Sequence, residues 1–468
     1  MAAELPEAAD DQPDSTEPDV TPLLHPPDGV PDLSTTAGEI KAAAELLAGG
    51  HGPFAMDAER ASGFRYSNRA YLIQIRRAGA GTVLIDPVSH GGDSLSVLRP
   101  VAEVLAKDEW ILHAADQDLP CLAEVGLRPP ALYDTELAGR LAGFDRVNLA
   151  AMAQRLLGLG LAKGHGAADW SKRPLPAAWL NYAALDVEVL IALREAIAAV
   201  LDEQGKTAWA AEEFDYLRTA ADLVPATTRR ERWRRTSGIH RVRNQRALAA
   251  VRELWTVRDE IAQRRDIAPG RILPDSAIID AATADPKTFD DLVALPIFGG
   301  RRQRRSAGTW LAALKAAREN PGSAEEAEPP NGPPAPARWA RRKPEAAARL
   351  DAARSALREL SAQISVPAEN LVTPELVRRL CWDWDPADDD AEPSDKEERR
   401  SNPADDDAER SDEEERRIDP ADDTATAIDE FLAAGHARRW QRELVVPVLA
   451  AALQPTPEGN DDVSPAAR

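Results

Sequence analysis

The chain has 468 residues, a formal net charge of −22 and ordinary apolar content, which leaves room for about three domains and excludes a wholly disordered polypeptide. Two cysteines, Cys121 and Cys381, stand far apart with no metal-ligand spacing, which excludes a disulfide framework and fits a reducing compartment. No stretch is long and apolar enough to span a bilayer, and the first residues lack the basic-then-apolar layout of a secretory signal, so a soluble cytoplasmic protein is expected.

The acidity is concentrated in two places. Residues 1–34 carry nine acids and no Lys or Arg, and residues 385–424 carry nineteen acids and six bases, so these segments account for the whole net charge. Both are expected to be disordered, and the rest of the chain balances to zero. The overall charge therefore does not exclude a polyanionic partner for the folded parts.

In chain order, Thr36 and Glu39 make a capping-box pattern ahead of Ile40, Leu46 and Leu47, which predicts a helix. Phe54 to Met56 is an apolar run leading into Asp57 and Glu59, and it predicts a buried strand. A period of two puts both carboxylates on one face, where they repel unless a cation sits between them. Hard divalent cations take oxygen ligands of this kind. Residues 70–77 and 82–86 predict two more strands, joined as a hairpin by the Ala-Gly-Ala-Gly turn at 78–81. A helix is expected from Leu95 to Lys107. Trp110 to Leu112 then forms a short buried strand that delivers His113 and Asp118 at its end. Helices are expected around 119–125, 134–141 and 148–157. The pattern implies an α/β domain with a mixed sheet and flanking helices. A loop containing Lys163, Gly164, His165, Asp169, Trp170 and Arg173 leads to Pro176, which opens a helix. Tyr182 and Asp186 lie four apart on it and share a face.

From Thr227 the composition shifts. Arg229, Arg230, Arg232, Arg234 and Arg235 open an arginine-rich span, which suits either a solvated hinge or contact with phosphates. Trp233 among them could stack on a base or belong to the core. An all-helical stretch follows, with helices expected at 245–264, 272–281, 288–295 and 301–319. Residues 320–337, rich in Pro, Ala, Glu and Gly, predict a linker. A helix at 345–364 precedes Val366 to Val372, whose layout resembles Ile267 to Leu273, so a second copy of the helical module is expected. Acidic units begin at 385, 402 and 419, a spacing of 17 residues, with almost no apolar positions to stack, which predicts an insertion in a loop. The expected division is an acidic tail 1–34, an α/β domain 35–225, a helical domain 226–320, a linker 321–338, a second helical domain 339–455 interrupted by 385–424, and a tail 456–468.

Asp57, Glu59, Asp118 and Asp186, from two strand ends and one helix, can converge on one point. Four carboxylates can hold two divalent ions that clamp the attacking and leaving oxygens of a phosphodiester. The Tyr182 hydroxyl could orient or activate the attacking water. Each residue also has a plainer role open to it: Asp118 as a helix cap, Tyr182 as a half-buried aromatic, His113 as a satisfied strand-end histidine.

Taken together and in this order, Asp57-x-Glu59, His113 with Asp118 in His-Ala-Ala-Asp-Gln-Asp-Leu, and Tyr182-x-x-x-Asp186 resemble the three motifs of the DEDDy 3′→5′ exonucleases, and among them the bacterial ribonuclease D family. Tyr71-Leu72-Ile73-Gln74-Ile75, Asp134-Thr135 and Asp169 to Leu175 add to the likeness, and residues of about 236–316 resemble the helicase-and-RNase-D C-terminal (HRDC) module. The resemblance implies a ribonuclease H-like exonuclease domain followed by all-α HRDC-type domains. It implies two divalent ions, Mg²⁺ or Mn²⁺, held by Asp57, Glu59, Asp118 and Asp186, with Tyr182 positioning the water. Gln74, His113 and the arginines at 229, 230, 232, 234 and 235 become candidate nucleic-acid contacts. The expected partner is RNA, at single-stranded 3′ ends such as those of tRNA precursors, cut to nucleoside 5′-monophosphates by a monomer. DNA as the substrate, and a silent nucleic-acid-binding scaffold, are the alternatives. The acidic repeat has no counterpart in the family pattern.

Overall fold

The computed structural model describes residues 20–89, 93–162, 164–223, 229–324, 332–384 and 420–453, with the backbone alone at 221–223, 229–231, 323, 324 and 420–423. Its strands are β1 (Thr21–Leu23), β2 (Leu33–Ser34), β3 (His51–Arg60), β4 (Ala70–Ala78), β5 (Gly81–Ile85), β6 (Trp110–Leu112), β7 (Leu132–Asp134) and β8 (Leu159–Leu161). Six of them form one mixed sheet in the order β2-β5-β4-β3-β6-β7; β1 and β8 pair separately in parallel. The β4–β3–β6 centre follows from sequence, because these strands are almost continuously apolar and buried on both faces.

The helices of this domain are α1 (Ala37–Ala48), α2 (Ser94–Leu105), α3 (Leu119–Glu124), α4 (Thr135–Leu141), α5 (Leu149–Leu157), α6 (Ala177–Glu188), α7 (Leu190–Glu203) and α8 (Thr207–Leu223). The capping box at the start of α1 is present: Glu39 N donates to Thr36 Oγ1, and Thr36 N donates to the Glu39 carboxylate. Helix α6 lies against β3, β4 and β5, which brings its Tyr182 and Asp186 face to the end of β3.

Two helical modules follow. The first comprises α9 (Gln245–Arg265), α10 (Pro269–Ile272), α11 (Asp275–Ala284), α12 (Phe289–Val293), α13 (Arg301–Arg305) and α14 (Ala307–Glu319), around its own core of Val251, Leu254, Ile278, Leu292, Trp310 and Leu314. The second comprises α15 (Trp339–Arg342), α16 (Pro344–Ile364), α17 (Ala368–Leu371), α18 (Pro374–Asp383), α19 (Pro420–Ala434) and α20 (Arg439–Leu453). The run α16-α17-α18 repeats the lengths of α9-α10-α11, 21, 4 and 10 residues, and both long helices end in a left-handed residue, Ser365 and Asp266.

The modules grip the α/β domain differently. The second shares a continuous hydrophobic core with it. Trp440 stacks on Trp209 of α8 at 5.0 Å, and Glu213 accepts from Trp440 Nε1 at 2.9 Å and from Arg438 Nε at 2.6 Å. The first module touches the loop after β3. Tyr66 Oη donates to Asp259 at 3.0 Å, Ser67 N to Asp266 at 2.8 Å, and Arg271 Nε to Gly63 O at 2.7 Å, with the Arg271 guanidinium over the Phe64 ring.

Four expectations need correction. Residues 20–34 are not tail: β1 and β2 pair with β8 and β5, and two or three residues with prolines among them give no periodic signal for such pairing. The linker begins later than expected, because Pro321–Ala324 is a 3₁₀ turn packed on α9. The expected helix at 301–319 is two, since Ser306 leaves helical geometry between α13 and α14. The acidic insertion ends before 424, because α19 starts at Pro420. Residues 1–19, 385–419 and 454–468, which hold the rest of the tails and repeat, lie outside the described residues. Among the described residues no helix is long and apolar enough to cross a membrane.

Candidate active site

Strand β3 carries Asp57 and Glu59 to the end of the sheet, and α6 carries Asp186 opposite them. One carboxylate oxygen from each lies within 4.8 Å of the others. Glu59 is buried, with 6% of its surface exposed. Asp118 follows the β6 end and is likewise buried. It stands outside the close trio: it hydrogen-bonds Asp57 and faces Arg60 Nη2 at 3.4 Å. Its side chain makes no capping bond to α3, so the capping role is not the one it plays.

Such a cluster cannot ionise fully without a counter-charge. Burial and the charges of Asp57, Asp186 and Asp118 push Glu59 up to about 10. Burial also raises Asp57, Asp118 and Asp186, against the partial relief that Arg60 gives the first two. Tyr182 stands one helical turn from Asp186, and burial, with the charge of that carboxylate, raises the phenol above its ordinary value. The hydroxyl therefore stays protonated near neutrality and acts through hydrogen bonds.

Around the carboxylates is a cavity of about 290 Å³, which Arg60, His113, Gln117 and Gly166 also line. His113 Nδ1 bonds Thr135 Oγ1 at 2.9 Å, and burial lowers the imidazole to about 4, so it is neutral at pH 7. The turn from His113 to Asp118 is pinned by Asp134, whose carboxylate accepts from Ala114 N and Ala115 N and also caps α4. Ala114 takes the left-handed conformation there, φ 61°.

Gln74 requires a correction. It is fully buried on β4 opposite Asp57, and its Nε2 donates to Asp57 Oδ2 at 2.9 Å. No nucleic acid can reach it; it orients a carboxylate. Arg232, Arg234 and Arg235 are exposed but do not line the catalytic cavity. Trp233 is core of the first helical module, with the Arg234 guanidinium over its ring. The side chains of Arg229 and Arg230 lie outside the described residues.

Two participants were not singled out from sequence, and a third, Gly164, was named only as a loop residue. Arg60 directly follows the Asp-x-Glu pair, which is the signal that could have found it. Gln117 accepts from Arg60 at 3.3 Å. Gly164 lies against the Cδ2–Cε2 edge of Tyr182: a Cβ there would sit 1.8 Å from the ring's Cδ2.

Residues 32–202 match the family described as 3'-5' exonuclease, residues 247–314 the HRDC domain, and residues 332–399 the 3' to 5' exonuclease C-terminal domain. The chain is 32% identical over 307 residues to "Ribonuclease D" of Gluconacetobacter diazotrophicus, covering 63% of this chain and 75% of that one. The chain belongs to the ribonuclease D family. It is also 34% identical over 232 residues to "Ribonuclease D" of Granulibacter bethesdensis, where the match spans 48% of this chain and 57% of that one. A crystal structure of a protein from Bifidobacterium adolescentis is similar over 93% of this chain and 99% of its own, with a TM-score of 0.72 and 35% identity. Escherichia coli RNase D shares the ribonuclease D fold at a TM-score of 0.59 and 22% identity, over 86% of this chain and 98% of that chain.

Proposed function

We propose that this ribonuclease D family member is a divalent-metal-dependent 3′→5′ exoribonuclease that releases nucleoside 5′-monophosphates from RNA 3′ ends. One observation carries the reading: three carboxylates from β3 and α6, Glu59 buried and Asp57 and Asp186 half-buried, lie within 4.8 Å of one another and short of counter-charge. That is a hard-oxygen donor set suited to Mg²⁺ or Mn²⁺. Asp57, Glu59, Asp118 and Asp186 would hold two such ions, which when bound activate water and neutralise charge on the transferred phosphate.

The chain's own groups do the rest. Gln74 and Arg60 fix Asp57 and Asp118. The protonated Tyr182 hydroxyl, one helical turn from Asp186, offers its oxygen to accept a hydrogen bond from the attacking water. The water oxygen bonds to phosphorus as the P–O3′ bond breaks; the terminal nucleotide leaves as its 5′-monophosphate, the water gives up a proton, and the departing O3′ takes one up, so the shortened RNA ends in a new 3′ hydroxyl. Arg60, at the cavity, offers a cation to the phosphate. Arg232, Arg234 and Arg235 would meet RNA backbone farther from the reaction. Two named relatives, both ribonuclease D, support RNA over DNA as the substrate; structured precursors such as tRNA are the RNA we propose. We place the protein in the cytoplasm as a monomer, with the domain division 20–225, 226–324 and 339–455.

Incubation of 3′-extended RNA with Mg²⁺ or Mn²⁺ should shorten it stepwise, with loss of activity in Asp186→Ala and in EDTA. An unshortened RNA under both metals would leave a binding scaffold as the better reading, and a preference for DNA in competition would reassign the substrate.

A further inference from the structure

The segment 20–30 touches both parts of the chain that hold Tyr182. Its strand β1 pairs with β8, Thr21 opposite Leu159 and Leu23 opposite Leu161. Gly160 lets the two strands close up, since a Cβ there would lie 3.0 Å from Val20 Cγ1. Strand β8 leads into the loop whose Gly164 lies against the Cδ2–Cε2 edge of the Tyr182 ring, with His165 in an edge-to-face contact at 5.9 Å. Immediately after β1, Asn181 Nδ2 donates to Leu24 O at 2.9 Å. The Asn181 carbonyl, left to accept, takes a hydrogen bond from His25 Nδ1 at 2.8 Å. Asn181 is the residue before Tyr182 on α6. Farther on, Arg76 joins Asp28, at 3.4 Å, to Glu188 at the end of the same helix, at 2.8 Å.

The three pieces enclose one cavity of about 430 Å³, with His25 and Val30 from the segment, Leu161 and His165 from β8 and its loop, and Tyr182 and Asp186 from α6. The cavity backs onto the catalytic one, because Tyr182 and Asp186 line both.

We propose that residues 20–25 are a clamp that sets the position of Tyr182 by tying β8, and with it the Gly164 loop, to Asn181 of α6. His25 and Asn181 are then positioning residues; neither touches the reacting atoms. The physical requirement is tight placement: an oxygen that orients a water must be held within a fraction of an ångström, and a helix edge and a short loop do not supply that unaided. A two-stranded pairing plus two side-chain bonds joins the two jaws directly. The proposal rests on the reading of Tyr182 given above.

The test uses the full chain, a chain beginning at Pro26, and His25→Ala, each with and without Tyr182→Phe. His25 is exposed, so its replacement leaves the fold intact. Starting at Pro26 should lower kcat about tenfold with KM changed by less than about twofold, and His25→Ala should do so by a smaller factor. Combined with Tyr182→Phe, either change should cost less than about twofold more, because the group it positions is gone. Independently of activity, amide hydrogen exchange in metal-free protein should speed up at 159–166 and 177–186 in the shortened chain, and stay unchanged in α9 to α14. Equal losses with and without Tyr182→Phe, or unchanged kcat and exchange in the shortened chain, would overturn the clamp while leaving the nuclease reading in place. A Tyr182→Phe variant with the parent's kcat would overturn the role of Tyr182 and the clamp's purpose with it.

Discussion

Glu59 binds its proton in the folded chain up to about pH 10, whereas its ordinary value is 4.5. Between those values the metal-free fold holds a proton that the unfolded chain has released. Its stabilising share is therefore complete below about pH 4.5 and is lost as pH rises towards 10. Asp186→Asn removes one of the repelling charges. It should raise the metal-free melting temperature at pH 8, by an amount corresponding to about 1–2 kcal/mol, and flatten its decline with pH. The same variant should lose roughly 10³-fold or more in activity. Thermal unfolding in EDTA at pH 6 and pH 8 checks the first part, and RNA shortening the second. Gln74 makes a different pair of effects. Its Nε2 holds Asp57, but its Oε1 is buried with no hydrogen-bond partner. Gln74→Leu should therefore reduce kcat by about 10- to 100-fold while leaving the urea midpoint equal or higher; a lower midpoint would show that the amide is needed for folding.

At the scale of elements, what was legible depended on runs of apolar residues, since β6 is as short as the strands that were missed. Strands β3, β4 and β6 announce themselves through apolar runs, and the Asp57-x-Glu59 and Tyr182-x-x-x-Asp186 spacings fix which faces their side chains share. Strands β1, β2, β7 and β8 have two or three residues each, too few for any period, and exist because a neighbour pairs with them. The partners of the acids were hidden for a related reason. Gln74 meets Asp57 only through the β3–β4 register, and Arg60 meets Asp118 only because β3 and β6 are neighbours. The loop between β8 and α6 is held by another contact that no local pattern predicts. Arg173 forks onto Asp86 at 2.6 and 2.9 Å, and donates to Tyr71 O and Trp170 O. A lysine cannot reproduce that fork. Arg173→Lys should destabilise the chain by about 2–4 kcal/mol, read from urea unfolding, since it leaves the buried Asp86 poorly paired.

The whole molecule has two kinds of domain contact. The first helical module has a core of its own, and it meets the loop after β3 mainly through hydrogen bonds and one cation–ring contact. The second has no separate core. Calorimetry of the full chain should therefore resolve two transitions, one for α9 to α14 and one for the remainder. Glu213→Ala should lower only the second, by about 2–4 kcal/mol, because it strips Arg438 and Trp440 of their buried partner. A single transition, or a shift in both, would count against this division.

The shared core has a consequence for how the protein is made. Residues from Ile40 to Leu453 belong to one apolar interior, so the α/β domain cannot be sealed until residues 428–453 have been made. The α9 to α14 module, emerging midway, can settle at once. Nascent chains stalled near residue 365, which leaves α14 clear of the ribosome, should thus yield a protease-resistant fragment from the middle, with the catalytic portion still cleavable. Early resistance of residues 36–200 in such stalled chains would contradict that order of assembly.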